Sequence, residues 1–202
     1  MSKLLFTVIF LLMPWSVLAK PQTILVFGDS ISAGYGIDVT QGWVSLLQKK
    51  LVESNSQYSI INASISGETS AGGLSRIDAL LVTHKPDIVL LQLGANDGLR
   101  GLSPVQLKSN LAEIIHRSQK SGAKVILLAM KIPPNYGKRY IELFYAVYPE
   151  LASELNVQLV PFLLEDVALD KKLMQSDGLH PNAKAQPILA NKIEPYLFPL
   201  LK

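Results

Sequence analysis

Five short apolar runs punctuate the chain, separated by longer segments in which apolar residues recur every three or four positions. The runs are Thr23 to Phe27, Tyr58 to Ala63, Asp87 to Leu93, Lys124 to Met130 and Val157 to Phe162. The first of them lacks the alternation of a half-exposed strand, which predicts that both its faces are covered, as in a parallel sheet between helices. Helical periodicity is predicted over Gln41 to Val52, Ala71 to Thr83, Pro104 to Lys120 and Tyr140 to Leu155. A last helical segment is expected from about Ala183 to Leu201, interrupted by Pro187, Pro195 and Pro199. Strands that alternate with helices in this way imply right-handed βαβ units. The expected fold class is therefore α/β, a three-layer α/β/α sandwich around a central five-stranded parallel sheet.

Residues 1–19 follow a different pattern. Lys3 supplies a positive start, Leu4 to Leu12 a short apolar core, and Val17-Leu18-Ala19 a small-residue ending, as in a secretory signal peptide. The stretch from Leu4 to Ala19 holds only 16 residues and contains Pro14, whereas a spanning helix needs about 20. An uncleaved anchor is the alternative. Cleavage after Ala19 would leave 202 − 19 = 183 residues, with 20–202 as a single exported domain. The absence of cysteine removes disulfides, thiolate nucleophiles and lipidation at the cleavage point. Loss of Lys3 would take the formal charge from +3 to +2, and no Lys/Arg cluster exceeds pairs such as Lys138-Arg139 and Lys171-Lys172, so no nucleic-acid footprint is present. No stable membrane insertion is expected after cleavage, and a monomer is expected.

Polar chemistry collects where the strands end. Gly28-Asp29-Ser30 follows the first strand, and Asn62-Ala63-Ser64-Ile65-Ser66-Gly67 the second. Gly94-Ala95-Asn96-Asp97 follows the third, and Asp177-Gly178-Leu179-His180-Pro181 lies near the C-terminus. The carboxyl edge of an open α/β sheet is where ligands bind. A nucleophilic serine needs a base, an acid that orients the base, and donors for an oxyanion, and this chain offers a candidate for each. Ser30 is the candidate nucleophile, His180 the base and Asp177 its orienting partner. His84 and His116 fall late in helical segments, where an exposed imidazole has an ordinary explanation. Gly67 and Asn96 are candidate oxyanion donors. Each feature also has a plain structural reading: Ser30 capping a helix, Gly67 and Asn96-Asp97-Gly98 as turns, Asp177-Gly178 opening the last helix, and Asn62 as a buried hydrogen-bonding residue.

These four blocks, in this order, resemble those of the SGNH (GDSL-type) hydrolases, and the match spans essentially all of 20–202. Asn96-Asp97-Gly98-Leu99-Arg100-Gly101, Pro134-Asn135-Tyr136-Gly137 and Asp177-Gly178-Leu179-His180-Pro181-Asn182 are similar to its branch of bacterial acyl-CoA thioesterases, lysophospholipases and arylesterases. The resemblance implies the three-layer, flavodoxin-like fold, export, and cofactor-free hydrolysis of acyl esters and thioesters. It further implies a Ser30-His180-Asp177 triad with Ser30 N–H, Gly67 N–H and the Asn96 amide as oxyanion donors. Ile31 and Ala95 stand where the family more often has Leu and Gly, and Ala95 bears on the turn that aims Asn96. The GDS setting differs from the G-x-S-x-G elbow of α/β-hydrolases proper. Leu99, Ile132, Pro133, Pro134, Tyr136 and Tyr140 are candidates to line an acyl groove, with some of them expected to be ordinary packing. The competing functions are a carbohydrate acetyl-esterase, a metal-dependent phosphoesterase using Asp29, Asp97, Asp177 and His180, and a catalytically inactive binding protein.

Overall fold

The computed structural model describes residues 22–201, so the expected leader at 1–19 lies outside the described residues. Its centre is a five-stranded parallel sheet formed by β1 (Gln22–Gly28), β2 (Tyr58–Asn62), β3 (Ile88–Gln92), β4 (Lys124–Leu128) and β5 (Gln158–Val160). The strands lie in the order β2-β1-β3-β4-β5, and every pairing is parallel. Ile24, Leu25, Val26 and Phe27 of β1 have no solvent exposure, as expected of a strand covered on both faces. Burial of each such side chain contributes about 1.5–3 kcal/mol.

Among the described residues seven α-helices connect or cover the strands: α1 (Ser30–Ala33), α2 (Trp43–Glu53), α3 (Ser70–His84), α4 (Ala95–Leu99), α5 (Pro104–Lys120), α6 (Lys138–Glu154) and α7 (Gln186–Leu197). α2 packs against α7, while α3, α5 and α6 pack in series. The single-turn helices α1 and α4 were not predicted, because four or five residues are too few to show a period. In the C-terminal segment, Pro187 falls in the first turn of α7, where its missing N–H costs little. Contrary to expectation, α7 continues through Pro195. Pro195 and Asn191, whose carbonyl loses its donor, are both solvent-exposed.

The ladders stop short of the apolar runs. Ala63, Leu93, Ala129, Met130 and Phe162 continue the pattern but lie beyond the paired residues. Burial outlasts pairing because these residues pack under the loops at the carboxyl edge. Ala63 N–H donates to Val26 O, Leu163 N–H donates to Ala129 O, and the Tyr148 hydroxyl donates to Leu93 O. The order places β1 beside β3 with their connections leaving in opposite directions, which opens a crevice at the carboxyl ends of these two strands.

Candidate active site

Ser30 enters this crevice from β1. A Cβ built on Gly28 would lie 2.7 Å from Ser32 Oγ and 2.8 Å from Gln92 Oε1, so glycine supplies room there; its φ is not positive. Asp29 caps α1, its Oδ1 accepting the Ile31 N–H at 3.0 Å. Capping therefore falls to Asp29 and leaves the Ser30 hydroxyl free for another partner. The Asp29 carboxylate is fully buried, takes a second bond from Gln92 Nε2 at 3.0 Å, and has no partner on Oδ2. Burial pushes its carboxyl up to about 6, against the opposing pull of the Ile31 N–H and the Gln92 amide.

His180 reaches Ser30 from a loop that closes on itself. Met174 and Pro181 form an isolated antiparallel bridge, Gln175 N–H donates to His180 O at 2.8 Å, and Gly178 takes a left-handed φ of 67°. Within it Asp177 Oδ1 accepts the Leu179 and His180 N–H groups at 2.9 and 3.0 Å. Asp177 Oδ2 lies 2.6 Å from His180 Nδ1, and His180 Nε2 lies 2.9 Å from Ser30 Oγ. The His180 backbone N–H is the largest influence holding the Asp177 carboxyl down at about 2; desolvation opposes it, and the imidazole and the Leu179 N–H add to the lowering. The carboxylate is thus ionised throughout the neutral range and favours Nδ1–H, leaving Nε2 as the acceptor facing Ser30.

Two backbone donors stand open beside this chain of bonds. Ser30 N–H and Gly67 N–H donate to no acceptor among the described residues. Gly67 has a φ of 82°, which favours glycine, in a turn whose Ile65 N–H donates to Gly28 O at 3.0 Å. Asn96 opens α4 after Gly94, whose φ of 117° makes the turn. One Asn96 amide hydrogen goes to Glu68 O at 3.0 Å, which ties Asn96 to the Gly67 turn and leaves the second hydrogen available. A buried link reinforces this tie: Asp97 accepts the Ser70 N–H at 2.8 Å and the Ser70 hydroxyl at 2.6 Å, and Asn110 donates to that hydroxyl at 2.9 Å.

The candidate groove residues divide. Ile132, Pro133 and Pro134 line a cavity of about 490 Å³ together with Phe162, Met174 and Leu179, beside the loop that carries His180. Tyr136 and Tyr140 lie outside that cavity; their hydroxyls donate to the Leu99 and Leu102 carbonyls at 2.8 and 2.6 Å and secure the segment after α4. Leu99 is half-buried and does not line the cavity. Asn62 donates to Ser32 O at 2.8 Å, the structural role expected of it, but it is exposed rather than buried because β2 is an edge strand. Sequence reasoning missed Tyr35, whose ring lies 4.6 Å from that of His180, and Gln92, whose signal was a lone amide at the end of an apolar strand. Among the described residues no three His, Asp or Glu side chains gather as a metal-holding group: Asp29 faces Gln92 and Asp97 faces Ser70.

A parallel α/β sheet with a serine, a histidine and a carboxylate aligned at its switch point defines a class of acyl hydrolase. The model of the GDSL-like Lipase/Acylhydrolase family matches residues 26–187, and the chain belongs to that family. It is 53% identical over 183 residues to Esterase TesA of Pseudomonas aeruginosa, covering 91% of each chain. It is 45% identical over 183 residues to Thioesterase 1/protease 1/lysophospholipase L1 of Escherichia coli K12, covering 91% of this chain and 86% of the relative. The crystal structure of the psychrotrophic esterase EstA from Pseudoalteromonas, inhibited by monoethylphosphonate, superposes with a TM-score of 0.85 at 44% identity over 88% of this chain and 97% of that one. The chain is accordingly an SGNH-type hydrolase of esters.

Proposed function

We propose that this hydrolase is exported to the periplasm and cleaves acyl esters and acyl thioesters, including lysophospholipids, aryl esters and acyl-CoA, through an acyl-enzyme on Ser30. The observation that carries the reading is the continuous hydrogen-bonded line from Asp177 Oδ2 through His180 to Ser30 Oγ. In the first step Ser30 Oγ attacks the carbonyl carbon while His180 Nε2 takes its proton. The negative charge that forms on the carbonyl oxygen meets the Ser30 and Gly67 N–H groups and the free Asn96 amide hydrogen. Such preorganised donors cost no reorganisation as the charge develops. His180 then gives its proton to the departing alcohol or thiol, and water repeats the sequence on the acyl-enzyme.

The apolar cavity that Gly178 and Leu179 of the His180 loop help to line offers the acyl chain a place. Of its lining residues Ile132 is buried, only 7% exposed, while Pro133 is half-buried and Pro134 exposed. The leader-like pattern of residues 1–19 supports export. The names of the relatives support esters and thioesters alike.

The test is a set of rates on p-nitrophenyl esters and acyl-CoA thioesters of increasing chain length, with and without chelator. Chelator-insensitive turnover of both series, rising with chain length until the cavity is filled, is expected. Turnover confined to acetyl esters would instead favour a carbohydrate acetyl-esterase, and chelator-sensitive turnover a metal-dependent enzyme.

A further inference from the structure

Two hydrogen bonds in the plane of a ring fix its ends and leave its tilt open. His180 is held in this way, by Asp177 Oδ2 at Nδ1 and Ser30 Oγ at Nε2, so the imidazole can still rock about the line between these partners. A contact on the face of the ring is what resists that motion. Tyr35 supplies one: the two ring centroids lie 4.6 Å apart and the planes meet at 39°, nearer to stacked than to edge-on. The Tyr35 hydroxyl has no hydrogen-bond partner among the described residues, so the ring is the part of the side chain in use. Tyr35 is 53% exposed, and core packing therefore does not account for its place.

The backbone of Tyr35 is tied to both partners of the proton transfer. Its N–H donates to Ser30 O at 3.1 Å. Its carbonyl accepts from Gln175 Nε2 at 2.7 Å, and the same amide nitrogen donates to Pro181 O at 3.2 Å. Gln175 N–H donates to His180 O at 2.8 Å, while Gln175 O accepts the Gly178 N–H at 3.0 Å. Gly36, with a φ of 74°, leaves free the space that a Cβ would take from the Gln175 amide. Ser30, Tyr35, Gln175 and His180 thus form a closed circuit, each bonded to the next, with His180 Nε2 returning to Ser30 Oγ at 2.9 Å. Tyr35 and Gln175 stand 140 positions apart in the chain, so the circuit sets the separation of two loops that no continuous element joins.

We propose that Tyr35 and Gln175 are positioning residues for acyl transfer: Gln175 holds the Ser30 and His180 loops at their working distance, and the Tyr35 ring braces the imidazole and stabilises it while it carries the Ser30 proton. The face of an aromatic ring attracts a cation. The imidazole acts as a neutral base before the attack and is positive in the transition state, so the contact strengthens as the reaction proceeds. An interaction of that kind acts on kcat rather than on KM, a consequence that rests on the ester hydrolase reading above.

One arm of the test needs no turnover. In the proton NMR spectrum of the full chain the His180 ring C–H resonances, identified by their loss in His180→Ala, should move downfield in Tyr35→Leu, where the ring current is gone, and stay in place in Tyr35→Phe. Gln175→Met, which releases the Tyr35 carbonyl, should move them in the same direction as Tyr35→Leu. In the second arm, on p-nitrophenyl butyrate, Tyr35→Leu and Gln175→Met should each lower kcat about three- to tenfold with KM within about twofold of the parent, and Tyr35→Phe should keep kcat within about twofold. His180 resonances that stay in place in Tyr35→Leu, a Tyr35→Phe enzyme as slow as Tyr35→Leu, or losses confined to KM overturn the proposal. A Gln175→Met enzyme with the parent's kcat and spectrum overturns the part given to Gln175. A parent whose spectrum shows the ring contact but that hydrolyses no ester refutes the ester reading and leaves the bracing of His180 standing.

Discussion

Asp29 gives the fold a pH dependence that runs opposite to the usual carboxylate behaviour. Its carboxyl has an ordinary value of 3.8 in the unfolded chain and about 6 when folded, because burial outweighs the bonds from the Ile31 N–H and Gln92. Between these two values the folded protein holds more protons than the unfolded one, so stability falls as pH rises through the window. The full difference of about 2.2 units corresponds to about 3 kcal/mol, of which about 2.5 kcal/mol is lost between pH 4 and pH 7.5. Asp29→Asn keeps an acceptor for Ile31 N–H and Gln92 but places an amide group where Oδ2 has no partner. That substitution adds a pH-independent cost of about 1–3 kcal/mol and abolishes the titration. Urea unfolding of both proteins from pH 4 to 7.5 isolates the effect, since the other groups cancel in the difference. The parent's advantage over Asp29→Asn should shrink by about 2.5 kcal/mol across this range. A difference that stays flat within about 0.5 kcal/mol would refute the reasoning.

Three further substitutions probe the site. Asn96→Ala should lower kcat on the order of 10²–10³-fold, about 3–4 kcal/mol, with KM little changed; a kcat within about threefold of the parent, together with a lower Tm, would make Asn96 a loop residue only. Asp177→Asn can keep the Leu179 and His180 N–H bonds only by turning its NH₂ toward Nδ1, which leaves the proton on Nε2. The kcat should then fall on the order of 10⁴-fold, and a loss of less than about tenfold would contradict the tautomer argument. Gly98→Ala would bring a Cβ to 2.5 Å from Ile132 Cγ2 and 2.8 Å from Phe144 Cε2, so a loss of about 1–3 kcal/mol is expected in thermal or urea unfolding, and an unchanged Tm would show that the cavity wall yields freely.

The parts of this protein that were legible in its sequence are those governed by period and by local geometry. All five strands and every long helix follow the hydrophobic pattern, and α5 runs from Pro104 to Lys120 as expected because Pro104 and Ser121 bracket an uninterrupted amphipathic face. The blocks ending in Ser30, Gly67, Asn96 and His180 were visible because strand ends must carry polar residues if they line a crevice. What escaped depends on contacts between residues far apart in the chain. Gln92 shares a bond with Asp29 across 63 positions, and Tyr35 meets His180 only once the 174–181 loop has closed. Tyr136 and Tyr140 read as groove residues because an aromatic near a strand end is chemically ambiguous; their hydroxyls give them a structural task as well, bound to Leu99 and Leu102, which no local pattern reveals. The single-turn α1 and the continuation of α7 through Pro195 were hidden for the opposite reason. The first is too short to show a period, and the second costs little because its lost hydrogen bond faces solvent.

The central claim is that Ser30, polarised by His180, is the nucleophile. Exposure to a p-nitrophenyl alkylphosphonate, followed by peptide mass mapping, tests it most directly, because the reagent forms a stable adduct only on an activated hydroxyl. The adduct is predicted on the peptide containing Ser30, at Ser30 itself, with p-nitrophenol released in equal amount and labelling slowed at least about a hundredfold in His180→Ala. An adduct on Ser32, Ser64 or Ser66, or labelling at the parent rate without His180, would contradict the account.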